Sequence, residues 1–75
     1  MDCEKIKNLV SEGIQAESVE VSGGEGKYQI AVVSAEFEGL NAVKRQQSVY
    51  RIINPHISTG EIHAVSMYLK TPSEV

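Results

Sequence analysis

Hydrophobic residues recur at helical spacing near the start of the chain. Ile6, Leu9 and Val10 lie within segment 3–12 at separations of one to four residues, and this spacing places their side chains on one face of a helix. Asp2 is a residue type that caps a helix by accepting a hydrogen bond from a free backbone N–H group. We therefore predict a first helix over this segment.

A second helical pattern follows Asn41, which is a candidate N-cap. We predict that this helix runs to about Ile53 and that Asn54-Pro55 ends it, because proline lacks the N–H group that a helix interior needs. His56 comes next and is then an exposed turn residue. The predicted apolar face consists of Val43, Tyr50 and Ile53, with Val49 and Ile52 beside them.

Alternating apolar and polar residues predict a strand over segment 18–22, and a run rich in residues that favour strands predicts its neighbour over segment 27–34. Between them lies Gly23-Gly24-Glu25-Gly26. We interpret these residues as a hairpin turn, because glycine adopts positive φ without strain. The same residues spell the GxxG of KH loops, which clamp a nucleic-acid backbone. Those loops join helices, however, and the carboxylate of Glu25 would repel a phosphate.

A third strand is predicted from Glu61 to Lys70. Val65, Met67 and Leu69 alternate along it and are expected to be buried, so that Leu69→Ala should cost about 2–5 kcal/mol of stability. The opposite face is predicted to hold Ile62, Ala64, Ser66 and Tyr68. After the strand, Thr71-Pro72-Ser73-Glu74 has the sequence of a capping box and predicts a helix start.

The order of these elements predicts an α+β fold. A helix, two strands of a hairpin, a second helix and a third strand form one domain over residues 1–75. The crossover through the second helix favours a parallel pairing of the last two strands. We expect a small α-β-β-α-β sandwich, in which a three-stranded mixed sheet carries both helices on one face.

Composition narrows the class of protein. The chain has 75 residues, of which 41% are hydrophobic, and its net charge is −3. An acidic balance weighs against non-specific nucleic-acid binding as the main function. The single cysteine and the lack of a long apolar run lead us to expect no internal disulfide, no membrane association and a cytoplasmic location. We expect a monomer when the chain is alone.

Catalytic residues do not form a recognisable constellation. No serine has a histidine and a carboxylate at motif spacing, and Cys3 stands in a terminus that we expect to fray. We therefore predict that the protein is not an enzyme.

Basic residues on the second helix are candidates for nucleic-acid binding. Lys44 and Arg51 are seven residues apart, so they share a helix face, and Arg45 adjoins them. A solvated helix face explains the same residues. Two or three cations would give only weak, salt-dependent binding.

His63 is the second candidate functional residue. It stands near the start of the third strand, with Val65 as its neighbour on the same face. A half-buried histidine with a satisfied hydrogen bond is one interpretation. A metal ligand is the other, because imidazole at an open edge can bind a metal through one nitrogen.

Several short motifs, taken in order, resemble the BolA family and in particular its short bacterial IbaG/YrbA-like branch. The resemblance spans about residues 4–74. The motifs that carry it are Val43-Lys44-Arg45-Gln46-Gln47-Ser48-Val49-Tyr50, Ile62-His63-Ala64-Val65-Ser66, Val21-Ser22-Gly23, Phe37-Glu38-Gly39 and Thr71-Pro72.

This resemblance implies a class II KH-like, BolA-like fold and a binding function. BolA-like proteins pair with monothiol glutaredoxins, and the complex can share a two-iron, two-sulfur (2Fe-2S) cluster with glutathione as a further thiolate donor. The family's characteristic histidine near the third strand corresponds to His63. Family members are also described as DNA-binding transcriptional regulators and are tied to stress responses. In that alternative, Lys44, Arg45 and Arg51 would meet DNA.

One position departs from the family pattern. A second ligand, a histidine or cysteine, normally comes from the loop between the first two strands. The matching place here is Lys27 or one of residues 24–26, none of which is a histidine or cysteine. His63 is then the one protein ligand that the resemblance implies, and Cys3 is a remote substitute donor.

Overall fold

The computed structural model describes all residues, 1–75, and confirms the predicted order of elements. Two helices and three strands alternate with two short 3₁₀ turns. The elements are α1 (Cys3–Gly13), β1 (Ser18–Gly24), β2 (Lys27–Val33), a 3₁₀ turn (Ala35–Phe37), α2 (Ala42–Ser58), β3 (Ala64–Lys70) and a final 3₁₀ turn (Pro72–Glu74).

The three strands form one mixed sheet in the order β1-β2-β3. β1 pairs with β2 antiparallel, with Val21 opposite Ile30. β2 pairs with β3 parallel, with Ile30 opposite Met67. α1 packs against β1, α2 packs against β3, and the two helices contact each other. The buried core comprises Ile6, Val10, Ile14, Val19, Tyr28, Ile30, Val32, Phe37, Val49, Ile53 and Ile62.

Side-chain caps start both helices at the predicted residues. The Lys5 N–H group donates to Asp2 Oδ1 over 2.8 Å, and the Lys44 N–H group donates to Asn41 Oδ1 over 2.9 Å. Each cap satisfies a backbone donor that the first helical turn leaves without a partner.

Two residues with positive φ close the hairpin between β1 and β2. Glu25 has φ 54° and Gly26 has φ 81°, and Gly24 pairs with Lys27 on either side of them. Positive φ at both central residues defines a type I′ turn, whose twist matches that of the strands. The structure therefore confirms the interpretation of the GxxG sequence as a hairpin turn.

The predicted end of α2 is wrong. The helix continues through Pro55 to Ser58, and His56 is half-buried within it rather than exposed in a turn. Pro55 lies in the last turns, so the helix loses one hydrogen bond there. Ile57 packs partly buried against the core as a result of this continuation, and that burial offsets the loss.

The predicted apolar face of α2 is wrong at Val43, whose side chain is 60% exposed. Val49 and Ile53 are buried, and Tyr50 and Ile52 are half-buried. Val43 lies about 120° around the helix from Val49. The buried face of α2 is therefore narrower than the apolar face that the sequence predicted.

β3 begins three residues later than predicted, at Ala64. Ile62 therefore lies outside the strand and is 1% exposed, which contradicts its predicted place on the open face. Val65, Met67 and Leu69 face the helices as expected but are only half-buried. β3 is an edge strand, and a cleft of about 200 Å³ separates it from α2 beside Met67 and Leu69.

Neither helix has the length and apolar character that a crossing of a lipid bilayer requires.

Candidate functional site

His63 lies where the start of β3 meets the hairpin turn. Its backbone N–H group donates to the carbonyl oxygen of Gly26 over 2.6 Å, and the Ala64 N–H group donates to the same oxygen over 3.1 Å. Ile62, immediately before it, is buried in the core. The backbone of His63 is thus held on both sides, while its side chain is exposed.

The position of His63 does not match the interpretation of this residue as a half-buried histidine. Strand alternation suggested a residue at the edge of the core face. His63 instead precedes β3, and its imidazole is exposed rather than half-buried. An exposed imidazole can meet a ligand without a change in the core.

Lys27 occupies the first position of β2, beside the turn. Gly24 and Ala64 pair with it across the two neighbouring strands, so no large side chain covers it from either side. It lines an open depression of about 400 Å³ together with Ser22 and Gln29. The ammonium is exposed, and no thiol or imidazole comes from the turn itself.

Cys3 lies closer to this hairpin than its place in the sequence suggested. It is the first residue of α1 rather than part of a frayed terminus, and it is half-buried. Its Sγ atom donates to the carbonyl oxygen of Gly23 over 3.4 Å. Packing of α1 on β1 therefore brings the single thiol to the hairpin whose turn contacts His63.

The donor set of this chain is too small to hold an iron-sulfur cluster by itself. No group of three or more His, Cys, Asp or Glu side chains converges to hold a metal ion. His63 presents one exposed imidazole, and imidazole ligates iron in clusters that have mixed histidine and cysteine ligation. The residues fit a site to which this chain contributes one ligand and a partner contributes the others.

The three basic residues of α2 have different environments. Lys44 and Arg51 are exposed. Arg45 has a side chain that is only 14% exposed, and its guanidinium binds both carboxylate oxygens of Glu74, over 2.7 and 3.1 Å. It also donates to the carbonyl oxygens of Leu40 and Leu69. The structure brings Lys44 and Arg51 to one solvated surface and ties Arg45 into the fold.

Charge pairing shifts the pKa values of both partners in this contact. The hydrogen bond that Arg45 donates to the Glu74 carboxylate raises the pKa of Arg45. The hydrogen bonds from Arg45 and then from the Thr71 N–H group lower the pKa of Glu74 to about 2. Glu74 is therefore ionised throughout the physiological range, and the pair stays intact there.

Sequence reasoning missed a polar cluster at the end of α2, which consists of His56, Thr59 and Glu61. His56 Nδ1 lies 3.0 Å from Glu61 Oε1, and the Thr59 hydroxyl donates to the same oxygen over 2.9 Å. These hydrogen bonds lower the pKa of Glu61, with the contact to His56 as the largest cause. The five-residue spacing of His56 and Glu61 across a helix end was the one available signal.

The fold is a small α+β domain that presents one exposed histidine beside a β-hairpin. A model of the BolA-like protein family matches residues 6–74. The chain belongs to the BolA-like family.

Three similar proteins place it within that family. The acid stress protein IbaG of Escherichia coli strain K12 is 34% identical over 74 residues, which cover 99% of this chain and 88% of that protein. This similarity agrees with the IbaG/YrbA-like branch. The DNA-binding transcriptional regulator BolA of Haemophilus influenzae is 35% identical over 52 residues, or 69% of this chain and 50% of that protein. The structure of BolA1 from Arabidopsis thaliana superposes with a TM-score of 0.87 at 28% identity, and the match covers 97% of this chain and 94% of that one.

Proposed function

We propose that this protein is a BolA-like binding module that partners a monothiol glutaredoxin and contributes His63 as one ligand of a shared 2Fe-2S cluster. The role is in iron-sulfur cluster trafficking or in iron and stress regulation. The observation that carries the proposal is the exposed imidazole of His63 on a backbone that is fixed at the hairpin.

The electronic character of the proposed ligand supports this function. A cluster held partly by imidazole has a higher reduction potential than one held by thiolates alone, because imidazole is a neutral ligand. The remaining ligands would come from the glutaredoxin cysteine and from glutathione. His63 would then bind iron only when the partner is present.

The absence of the loop ligand lowers the expected strength with which the complex holds a cluster. The family usually has a histidine or cysteine at the place of Lys27 or of one of residues 24–26, and this chain has neither residue type there. Cys3 lies at the same hairpin and is the candidate for a substitute thiolate. A cluster held without either is expected to transfer more readily.

A visible absorption and circular-dichroism titration tests the proposal. The cluster is reconstituted on a monothiol glutaredoxin with glutathione, and the wild type, His63→Ala or Cys3→Ser protein is added. His56→Ala serves as the matched control, because it removes the other histidine. We expect the spectrum to shift with the wild type and with His56→Ala but not with His63→Ala.

The outcomes separate the parts of the proposal. An equal shift with His63→Ala would contradict the ligand role. A smaller shift with Cys3→Ser would identify the substitute thiolate. A glutaredoxin complex seen by calorimetry with no spectral shift would contradict cluster sharing and leave a cluster-free adaptor.

DNA binding is the second candidate function, favoured by the exposure of Lys44 and Arg51 on one face of α2 and by the similarity to a DNA-binding regulator. Two phosphate contacts predict that the logarithm of the binding constant falls with the logarithm of salt concentration at a slope of about −2. A fluorescence anisotropy titration with duplex DNA tests this, with Lys44→Gln/Arg51→Gln as the variant. No binding at low salt would contradict the candidate.

A further inference from the structure

We propose that Gly26 is a positioning residue for His63, because its missing side chain and its carbonyl oxygen together determine where the imidazole lies. The consequence of this positioning is that the His63 ring is presented to a metal, and this consequence rests on the proposed function.

The first observation is the backbone contact. The carbonyl oxygen of Gly26 accepts the N–H groups of His63 and Ala64, over 2.6 and 3.1 Å. One oxygen therefore anchors two consecutive residues at the start of β3. The β1–β2 hairpin and the segment that carries His63 are joined at this point.

The second observation is the space above the Gly26 Cα atom. A Cβ atom built there would lie 3.1 Å from the Cγ atom and 3.2 Å from the Nε2 atom of His63, and closer still to the Cδ2 atom. One edge of the ring thus rests on the glycine, and the opposite edge, with Nδ1, faces away. Gly26 is buried beneath the ring although it stands in a surface turn.

These two observations give Gly26 a role beyond that of a turn residue. Its φ of 81° favours glycine for conformational reasons, but those reasons apply equally to Gly39, whose φ is 78° and whose added Cβ atom would meet nothing within 4 Å. Only at Gly26 would a methyl group displace His63. The exposed ring can swing away at little cost in stability.

Gly39→Ala is therefore the matched control for Gly26→Ala. Both substitutions place alanine at nearly the same positive φ, so we expect similar losses of melting temperature. We expect only Gly26→Ala to change the ring signals of His63 in a ¹H–¹³C NMR spectrum of the cluster-free protein. We also expect the wild type to show a nuclear Overhauser effect between His63 Hδ2 and Gly26 Hα.

The consequence for binding is measured with cluster-loaded glutaredoxin. We expect Gly26→Ala to weaken the complex about 10–100-fold relative to Gly39→Ala, as for other residues that orient a metal ligand. Equal weakening by both variants would overturn the inference. Unchanged His63 ring signals in Gly26→Ala would also overturn the inference. The absence of the Overhauser effect in the wild type would overturn it as well, and this measurement needs no variant.

These readouts distinguish the inference from the proposed function. If the proposed function fails, the cluster titration of His63→Ala equals that of the wild type. Failure of the positioning role appears in the ring signals of Gly26→Ala, which are recorded without a cluster or partner.

Discussion

At the scale of single residues, the same side-chain type has different roles in different surroundings. Arg45 and Arg51 lie on one helix, yet Arg45 is tied to Glu74 and to two carbonyl oxygens, whereas Arg51 is exposed. The Arg45 guanidinium also lies 5.9 Å from the centre of the Phe37 ring, within the range of a cation–π contact. Arg45 therefore connects α2, β3 and the final turn.

The Arg45–Glu74 pair predicts a pH-dependent contribution to stability. The folded-state pKa of Glu74 is about 2, below its ordinary value of 4.5, so the stabilisation is present above about pH 4.5 and is lost as the pH falls toward 2. We expect Glu74→Gln to melt below the wild type at pH 7 and to approach it at pH 2. Melting curves followed by circular dichroism check this. A difference that stays constant with pH would contradict it.

The hairpin turn contains a residue that is poorly suited to its conformation. Glu25 has φ 54°, in the left-handed region that asparagine and glycine tolerate better. We expect Glu25→Asn to stabilise the protein by about 0.5–1 kcal/mol. Urea denaturation measures the change. An unchanged or lower midpoint would show that the Glu25 side chain makes a compensating interaction.

At the scale of elements, the edge strand β3 is held less firmly than the centre of the sheet. Ile30 and Val32 of the central strand are fully buried, whereas the residues of β3 that face the helices are half-buried. α2 covers them only in part, since a cleft remains beside Met67 and Leu69. His63 immediately precedes this strand, so the contacts of Gly26 and Ile62 matter for the position of His63.

Incomplete burial lowers the expected cost of truncating Leu69. A half-buried side chain loses only part of its transfer free energy and leaves no closed cavity. We expect Leu69→Ala to cost about 1–2 kcal/mol and Ile53→Ala, which is fully buried, about 2–5 kcal/mol. Urea denaturation of both variants checks this. Equal costs would show that the cleft closes over Leu69 in solution.

At the scale of the whole molecule, a single core lies between the helices and the sheet, and the half-buried residues of β3 pack against it. The eleven buried apolar residues come from both helices, β1, β2 and the connecting segments. Each helix contacts the sheet and the other helix. A domain of this size has a stability of only about 4–11 kcal/mol at the usual value per residue, so no element is expected to stay folded alone.

A single core predicts cooperative unfolding. Tyr28 is buried, and its hydroxyl donates to the carbonyl oxygen of Met1 over 2.8 Å. Its near-ultraviolet dichroism therefore reports on packing, while the far-ultraviolet signal reports on the helices. We expect the two thermal transitions to coincide. Separate midpoints would show that α1 detaches before the sheet unfolds.

The sequence predicted most of the fold because its local signals are strong. Asp2 and Asn41 mark the two helix starts, positive-φ glycine marks the hairpin, and alternation assigns the helix-facing side of β3. The end of α2 was not predictable, because proline usually ends a helix and only the packing of Ile57 on the core lets it continue. The burial of Ile62 was hidden because strand periodicity does not apply before Ala64.

Some features of the candidate site were likewise readable from the sequence, whereas others depend on the tertiary structure. The sequence by itself indicated that His63 is a candidate ligand, that neither Lys27 nor residues 24–26 include a histidine or cysteine, and that Lys44 and Arg51 share a helix face. Only the tertiary structure decided that His63 rests on Gly26, that Cys3 reaches the same hairpin and that Arg45 is committed to Glu74. These relations join residues between 20 and 37 positions apart. Local propensities act over a few residues, whereas contacts at such separations form only when the packed core brings the elements together.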